Sequence, residues 1–237
     1  MGRHKLSGFT VIEVVLFLGI TGLLAMMTFI GTGGSINVQR YRDSVTSLKS
    51  FLQQQYSDVV NIENSHTASD IACASITAAN RGQSDCVILG RYVANVGADK
   101  LVVKTVVGKD NSELVTNDID SLQKYAADFS SVLATNQDYP LTWGTTLNKT
   151  NGPNYTTNFS MLIIRSPLSG SILTFISQDE TGLPSSNLLK PLQLVILPDS
   201  QTKSLKLCIN SNNLFSGKKM MIQVLPNSAN GNGVRLL

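Results

Sequence analysis

The feature that most constrains this chain is an apolar run close to its N-terminus. The run extends from Phe9 to Ile30, contains one carboxylate, Glu13, and is followed by no further charged residue until Arg40. A segment of this length and composition can cross a bilayer as one α-helix, because a helix satisfies its own backbone hydrogen bonds. The carboxylate is the anomaly, since an acidic side chain at the bilayer centre costs about 2.5–3.5 kcal/mol on insertion scales.

Three ordinary interpretations of the run each leave part of it unexplained. An uncleaved signal-anchor accounts for its length and for the basic residues before it, Arg3 and Lys5, but not for Glu13. A secretory signal peptide has a shorter apolar core followed by small residues, whereas this run ends Ala-Met-Met-Thr-Phe-Ile. A buried helix of a soluble protein is rarely apolar on all of its faces over such a length.

The junction in front of the run carries a specific pattern. Lys5-Leu-Ser-Gly8 followed by Phe9-Thr-Val-Ile-Glu13 resembles the class III signal of type IV prepilins and pseudopilins, and the match covers about the first quarter of the chain. In that family a membrane peptidase cuts after the glycine, the new N-terminal phenylalanine is N-methylated, and a glutamate at the fifth mature position guides assembly. The resemblance implies cleavage between Gly8 and Phe9, methylation of Phe9 and an assembly role for Glu13.

The chemistry of these residues agrees with the roles that the resemblance implies. Cleavage would create a positive α-amino group beside the positive end of a helix dipole, and both favour a nearby carboxylate. In a filament, Glu13 of one subunit could pair with the Phe9 amine of its neighbour, so that two buried charges compensate each other. The implied partners are a prepilin peptidase, other pilin subunits and a membrane. The implied location is the bacterial cytoplasmic membrane, crossed once, with the globular domain extracytoplasmic.

The rest of the chain predicts a long helix followed by one domain. We expect a leader over residues 1–8, an N-terminal helix over 9–60 that is transmembrane to about residue 31 and amphipathic after it, and a globular pilin-like domain over 61–237. A glycine cluster at 31–34 predicts a weak joint in the helix, because glycine costs about 1 kcal/mol in a helix interior. A flexible linker is the alternative. The amphipathic half shows apolar residues at helical spacing, namely Tyr41, Val45, Leu48, Leu52, Tyr56 and Val59.

Strand patterns predict a mainly antiparallel β-sheet, and therefore an α+β fold in which the long helix packs on the sheet. Runs 86–93 and 100–107 flank a Gly-Ala-Asp turn and predict a hairpin. A helix is predicted over 117–133 and a loop over 137–158. The order of a long helix, then strands, then a glycine-punctuated terminal pair loosely resembles the minor pseudopilin H, from which the inserted helix and loop depart. Further strands are predicted at 160–165, 171–176, 192–197, 205–209, 220–225 and 234–237.

The three cysteines are assigned after the signal, because the export that it implies would place them in an oxidising compartment. Cys73 and Cys86 lie in or beside a segment of small polar residues, and we expect them to form a disulfide. Closing that loop would stabilise the fold by about 3 kcal/mol. Cys208 lies in a strand pattern and is expected to be a buried free thiol. Spacing alone does not fix the pairing.

Composition and motifs give little support for catalysis or for nucleic-acid binding. The formal net charge is +3, and it falls to +1 when Arg3 and Lys5 leave with the leader, so there is no strongly basic footprint. Of the two histidines, His4 belongs to the leader and His66 stands in a polar segment without a nucleophile-elbow motif. Paired cysteine or histidine spacing of a zinc site is also missing. We expect no catalytic residue, no metal site and no cofactor.

Two hypotheses of different class follow. In the first, the chain is a minor structural subunit of a type IV pilus or a type II secretion pseudopilus, cleaved by a prepilin peptidase and assembled through its N-terminal helix. In the second, it is a membrane-anchored extracytoplasmic ligand-binding or enzymatic module that does not polymerise. The Gly8–Phe9 junction together with Glu13 favours the first, since a simple anchor needs neither.

Overall fold

The computed structural model confirms the α+β class. A helix of 50 residues, α1 (Val11–Val60), precedes a set of short antiparallel strands and a second helix, α2 (Asp118–Lys124). The structure describes residues 9–61, 86–109, 114–124, 128–129, 137–148, 159–177, 202, 204–212 and 219–237. The strands are β1 (Cys86–Val96), β2 (Lys100–Lys109), β3 (Asp128–Phe129), β4 (Gln137–Pro140), β5 (Thr146–Asn148), β6 (Ser160–Arg165), β7 (Ile172–Ser177), β8 (Leu205–Asn210), β9 (Met221–Val224) and β10 (Val234–Leu236).

The helix α1 is continuous from end to end. Thr10 caps it, with an extended backbone and a side-chain oxygen that accepts the Glu13 N–H at 3.3 Å. The rise of a 50-residue helix is about 75 Å, so α1 extends well beyond the part, Tyr41 to Val59, that packs in the core. It passes through the glycine cluster 31–34 without a break, as expected for one long helix and not for the alternative of a flexible linker. A local cost of about 1 kcal/mol per glycine is too small to end a helix that has long, favourable segments on both sides.

The strands form two antiparallel sheets. The larger sheet has the order β3-β2-β1-β6-β7, and β4 also pairs with β2, alongside β3. The smaller sheet has the order β10-β9-β8-β5. The predicted hairpin is confirmed, since β1 pairs with β2 around the turn at residues 97–99. Its register shifts between Ile88 and Gly90, where β1 also begins to pair with β6.

One hydrophobic core joins the second half of α1 to both sheets. The six residues of the predicted amphipathic stripe are each at most 1% exposed, so the helical periodicity identified the buried face correctly. Val93 of β1 and Met161 and Ile163 of β6 meet this face from the larger sheet. From the smaller sheet it is met by Leu205, Leu207, Ile209, Ile222, Val224 and Val234.

The larger sheet is buried on its other face as well. Side chains alternate along β6, so that Leu162 and Ile164 point away from α1 and join a second cluster with Leu122 of α2. Phe175 of β7 belongs to the same cluster and is fully buried. The layers are therefore α2, the larger sheet, and α1 with the smaller sheet.

Two local predictions are wrong for the same reason. Of the helix predicted over 117–133, Asp118–Lys124 is helical, whereas the described residues Asp128–Phe129 form a strand that pairs with β2. The loop predicted over 137–158 contains the strands Gln137–Pro140 and Thr146–Asn148. These short strands complete the edges of sheets, and edge pairing depends on the partner strand rather than on local periodicity. The strand predicted at 192–197 lies outside the described residues.

Candidate functional site

The first half of α1 stands clear of the domain. None of its most apolar stretch is buried, and large side chains such as Ile12, Phe17 and Phe29 are 79%, 67% and 79% exposed. The rise from Val11 to Phe29 is about 27 Å, close to the hydrocarbon thickness of a bilayer. This helix, near the N-terminus, is therefore long and apolar enough to span a membrane.

Two threonine hydroxyls inside this segment are satisfied within the helix. The Thr21 hydroxyl donates to the carbonyl of Phe17 at 2.8 Å, and the Thr28 hydroxyl donates to the carbonyl of Ala25 at 2.8 Å. An unpaired hydroxyl in hydrocarbon would carry a large desolvation cost, and these bonds remove it. Both threonines thus suit a lipid environment without needing a partner.

Glu13 is the one charged residue of the segment, and it occupies the third helical position. The pair Thr10 and Glu13 forms the Thr-x-x-Glu pattern of a capping box, of which the Thr10 half is present. A carboxylate in the first turn also favours the positive end of the helix dipole. The sequence contains this capping signal, although the prediction for Glu13 came from the prepilin resemblance alone.

Phe9, the residue predicted to become the methylated N-terminus, lies at the same exposed end. Phe9 is 81% exposed and directly precedes the cap residue Thr10. Gly8 lies outside the described residues, so the cleavage at the junction stays a prediction. Phe9 and Glu13 are brought within one helical turn of each other, and neither contributes to the hydrophobic core.

The other half of α1 is fixed to the domain by buried hydroxyl groups as well as by apolar packing. The Tyr41 hydroxyl donates to the carbonyl of Ile209 at 2.9 Å and accepts the N–H of Met220 at 2.8 Å. It therefore ties α1 to β8 and to the residue that directly precedes β9. Sequence periodicity placed Tyr41 in the core but gave no signal for these long-range partners.

A second buried tyrosine ties α1 to the larger sheet. The Tyr56 and Thr174 hydroxyls are 3.1 Å apart, and Thr174 donates its proton to the carbonyl of Ser228 at 2.6 Å. Because a threonine hydroxyl has one proton, Tyr56 is the donor in the first bond. The helix, the larger sheet and the C-terminal segment are joined in one chain of hydrogen bonds.

A Tyr56→Phe variant should lower the free energy of unfolding by about 1–3 kcal/mol, because the buried Thr174 oxygen loses a donor. The measurement is thermal or denaturant unfolding of the full-length protein in detergent. Tyr139→Phe is the matched control, since its hydroxyl contacts Ser47 at an exposed site and its ring stacking on Phe51 is kept. Equal destabilisation by the two substitutions would show that the buried hydrogen-bond chain is not important for stability.

Buried tyrosines also predict instability at alkaline pH. Burial raises the pKa of Tyr56 and of Tyr92 above the ordinary value of 10.0. The hydrogen bond of Tyr56 with Thr174 and that of Tyr92 with Ser160 lower the pKa by a smaller amount. Above about pH 10 the unfolded chain therefore holds fewer protons than the folded protein, and stability falls as pH rises. Unfolding free energies should decline most steeply above about pH 10, where the tyrosines of the unfolded chain ionise. The decline should be shallower in Tyr56→Phe, and an unchanged slope would contradict the assignment.

The cysteine predictions are tested only in part. Cys208 is a free thiol in β8 as expected, but it is half-buried rather than buried. Burial raises the pKa of this thiol, and nearby Lys219 partly opposes the shift. Cys73 and the side chain of Cys86 lie outside the described residues, so the disulfide between them stays a prediction.

The described part of the chain offers no cluster of three or more His, Cys, Asp or Glu side chains that could hold a metal ion. Both histidines, His4 and His66, lie outside it. No protein-family model, curated protein or solved structure matches this chain. Its function is therefore inferred from its own residues and geometry.

Proposed function

We propose that this protein is a structural subunit of a filament of the type IV pilus or type II secretion pseudopilus kind. It would be made as a membrane-anchored precursor, cut after Gly8 and assembled through the first half of α1. The observation that carries the proposal is Glu13. It is the single charged residue of the first half of α1, an exposed apolar segment of membrane length. A module that is only anchored would gain no more than a helix cap from this charge, whereas a filament subunit also gains a pairing partner for it.

The exposed half of α1 suits two successive environments. In the membrane its apolar side chains are covered by lipid, and in a filament the same side chains are covered by the helices of neighbouring subunits. The transfer costs little hydrophobic free energy, because lipid and packed apolar helices are similar surroundings. Specific order in the filament must then come from polar pairing, and Glu13 is the residue that can supply it.

The pairing partner proposed for Glu13 is the new N-terminus of a neighbour. Leader removal converts the amide of Phe9 into a charged α-amino group at the end of α1. In one isolated subunit this group can stay at the headgroups, where it is hydrated. On assembly it moves into an apolar surrounding and requires a carboxylate, which the adjacent subunit provides.

The second half of α1 makes the domain follow the helix. Its stripe residues share one core with both sheets, and Tyr41 and Tyr56 add buried hydrogen bonds at two levels of the helix. A force that draws α1 out of the membrane would therefore move the domain as one body. That property is required of a subunit that is pulled into a growing filament.

The processing step is tested by a substitution at the junction. A Gly8→Glu variant should remain full length in the membrane fraction and be absent from filaments sheared off the cells. Ser7→Ala is the matched control, since it changes the neighbouring leader residue and should be cleaved normally. Processing of Gly8→Glu to the wild-type size would contradict the proposal. So would wild-type protein that keeps its leader and never enters filaments, as a non-polymerising module would.

A further inference from the structure

A surface at the membrane-facing end of the domain is built around Trp143, the only tryptophan of the chain. Trp143 lies in a 3-10 turn, Thr142–Gly144, between β4 and β5, and its side chain is 51% exposed. Its backbone is left-handed, with φ 60° and ψ 25°. A bulky aromatic residue rarely adopts this conformation, so the turn holds the indole outward against both steric preference and the hydrophobic effect.

The turn is held by polar contacts within itself, with α1 and with the segment that follows β8. The Thr145 hydroxyl donates to the carbonyl of Thr142 at 3.0 Å and accepts a proton from Ser44 of α1 across 2.6 Å. The Asn212 amide donates to the carbonyl of Gly144 at 2.6 Å. The indole is therefore presented by a rigid turn at one level of the helix.

Arg40 of α1 lies over the indole ring, with its guanidinium carbon 5.0 Å from the ring centroid. Both residues are exposed, so the pair presents an amphipathic aromatic ring and a cation together. Such pairs favour the boundary between lipid headgroups and water, where the ring enters the boundary layer and the cation meets phosphate.

The pair stands at the height where the membrane surface is expected. The helical rise from Val11 to Arg40 is about 44 Å, and a bilayer with its headgroup regions is about 40–45 Å thick. With Val11 at the cytoplasmic surface, Arg40 and Trp143 reach the opposite headgroup layer. Between Val11 and Arg40, the residues of α1 carry one charge, that of Glu13.

The charges around the pair favour an anionic surface. Arg42 on α1 and Lys219 beside the smaller sheet are exposed near the level of Arg40, and Asp43 and Asp99 partly oppose them. Lys219 is placed there by its neighbour Met220, whose N–H bonds to Tyr41. The three cations outnumber the two carboxylates.

We propose that Trp143 and Arg40 form a docking surface for anionic phospholipid headgroups. This surface holds the domain against the extracytoplasmic face of the cytoplasmic membrane before assembly. This inference rests on the proposed membrane-spanning subunit and adds to it a lipid contact that sets the depth and tilt of α1. Incorporation into a filament would release the contact. The occupant is a lipid surface, because the patch continues directly from the membrane-spanning segment and carries the complementary charge.

The single tryptophan makes the test direct, since selectively excited tryptophan fluorescence of the full-length protein reports on Trp143 alone. The protein is reconstituted into vesicles of phosphatidylcholine with or without phosphatidylglycerol, and insertion is checked by flotation after an alkaline wash. In anionic vesicles, lipid brominated near the headgroup should quench the emission, and acrylamide should quench it less than in neutral vesicles. Arg40→Gln should lower the ratio of docked to undocked protein about fivefold.

Arg165→Gln is the matched control, because Arg165 is exposed at the opposite end of β6 from the β1–β2 turn and should leave the quenching unchanged. A chain that fails to float in any vesicle contradicts the proposed membrane span. A chain that floats while Trp143 stays equally accessible in anionic and neutral vesicles contradicts the docking surface alone. In detergent without lipid, Trp143 could also become shielded from acrylamide as the protein concentration rises. That result would assign the surface to a second copy of the chain and overturn the proposal.

Discussion

A Glu13→Leu variant should enter the membrane and lose its leader, yet it should fail to join filaments. Insertion survives because leucine makes the segment more apolar. Assembly fails because the α-amino group of Phe9 would be buried without its counter-charge, and removing one partner of a buried pair costs about 3–5 kcal/mol. This corresponds to a loss of more than about a hundredfold in the affinity of each added subunit.

Two further variants separate charge from helix capping and from shape. Glu13→Gln keeps the backbone N–H that Thr10 accepts and nearly keeps the side-chain volume, so it should fail in assembly as Glu13→Leu does. Ile12→Leu changes the preceding apolar residue and should assemble normally. The assay should count both the incorporated protein and the number of filaments, because a minor subunit can act by priming. If Glu13→Leu is incorporated as well as wild type, with unchanged filament number, the proposed pairing is wrong.

A Gly90→Val variant should lose the folded domain. A Cβ atom at residue 90 would overlap the carbonyl oxygen of Ile163 and lie 2.7 Å from the Cα of Ile164. Both obstacles are backbone atoms of β6, so no side chain can rotate away, and β1 and β6 would have to separate. These strands lie in the middle of the larger sheet, with core residues on both faces. We expect a loss of more than about 4 kcal/mol, at the extreme of single substitutions.

Gly34→Ala provides the matched control for a glycine in open space. Nothing lies within 4 Å of a Cβ atom built at this residue, and the helix is continuous there. The substitution should stabilise α1 by up to about 1 kcal/mol. Circular dichroism and limited proteolysis of both variants in detergent give the comparison. A Gly90→Val protein that melts at the wild-type temperature would contradict the close packing of β1 on β6.

The parts of the fold that could be predicted are those with a local period. The stripe from Tyr41 to Val59 follows the helical repeat because one face of α1 is buried and the other is hydrated. The hairpin β1–β2 has long apolar strands and a glycine turn, and both are local signals. By contrast, β3, β4 and β5 are two to four residues long and exist because a neighbouring strand offers free backbone groups.

The candidate site divides in the same way. The processing junction and Glu13 form a linear motif, so the sequence displays them without any structure. The contacts of Tyr41 with Ile209 and Met220, and of Arg40 with Trp143, join residues more than a hundred positions apart. Such pairs depend on how two sheets close around one helix, and no local pattern records that arrangement.

The most direct test of the proposed processing is the mass of the N-terminal peptide of the protein recovered from its own cells. We expect a mature chain that begins at Phe9 with a methylated α-amino group, and no leader peptide in filaments. A chain that still begins at Met1 when it is fully functional would contradict cleavage after Gly8.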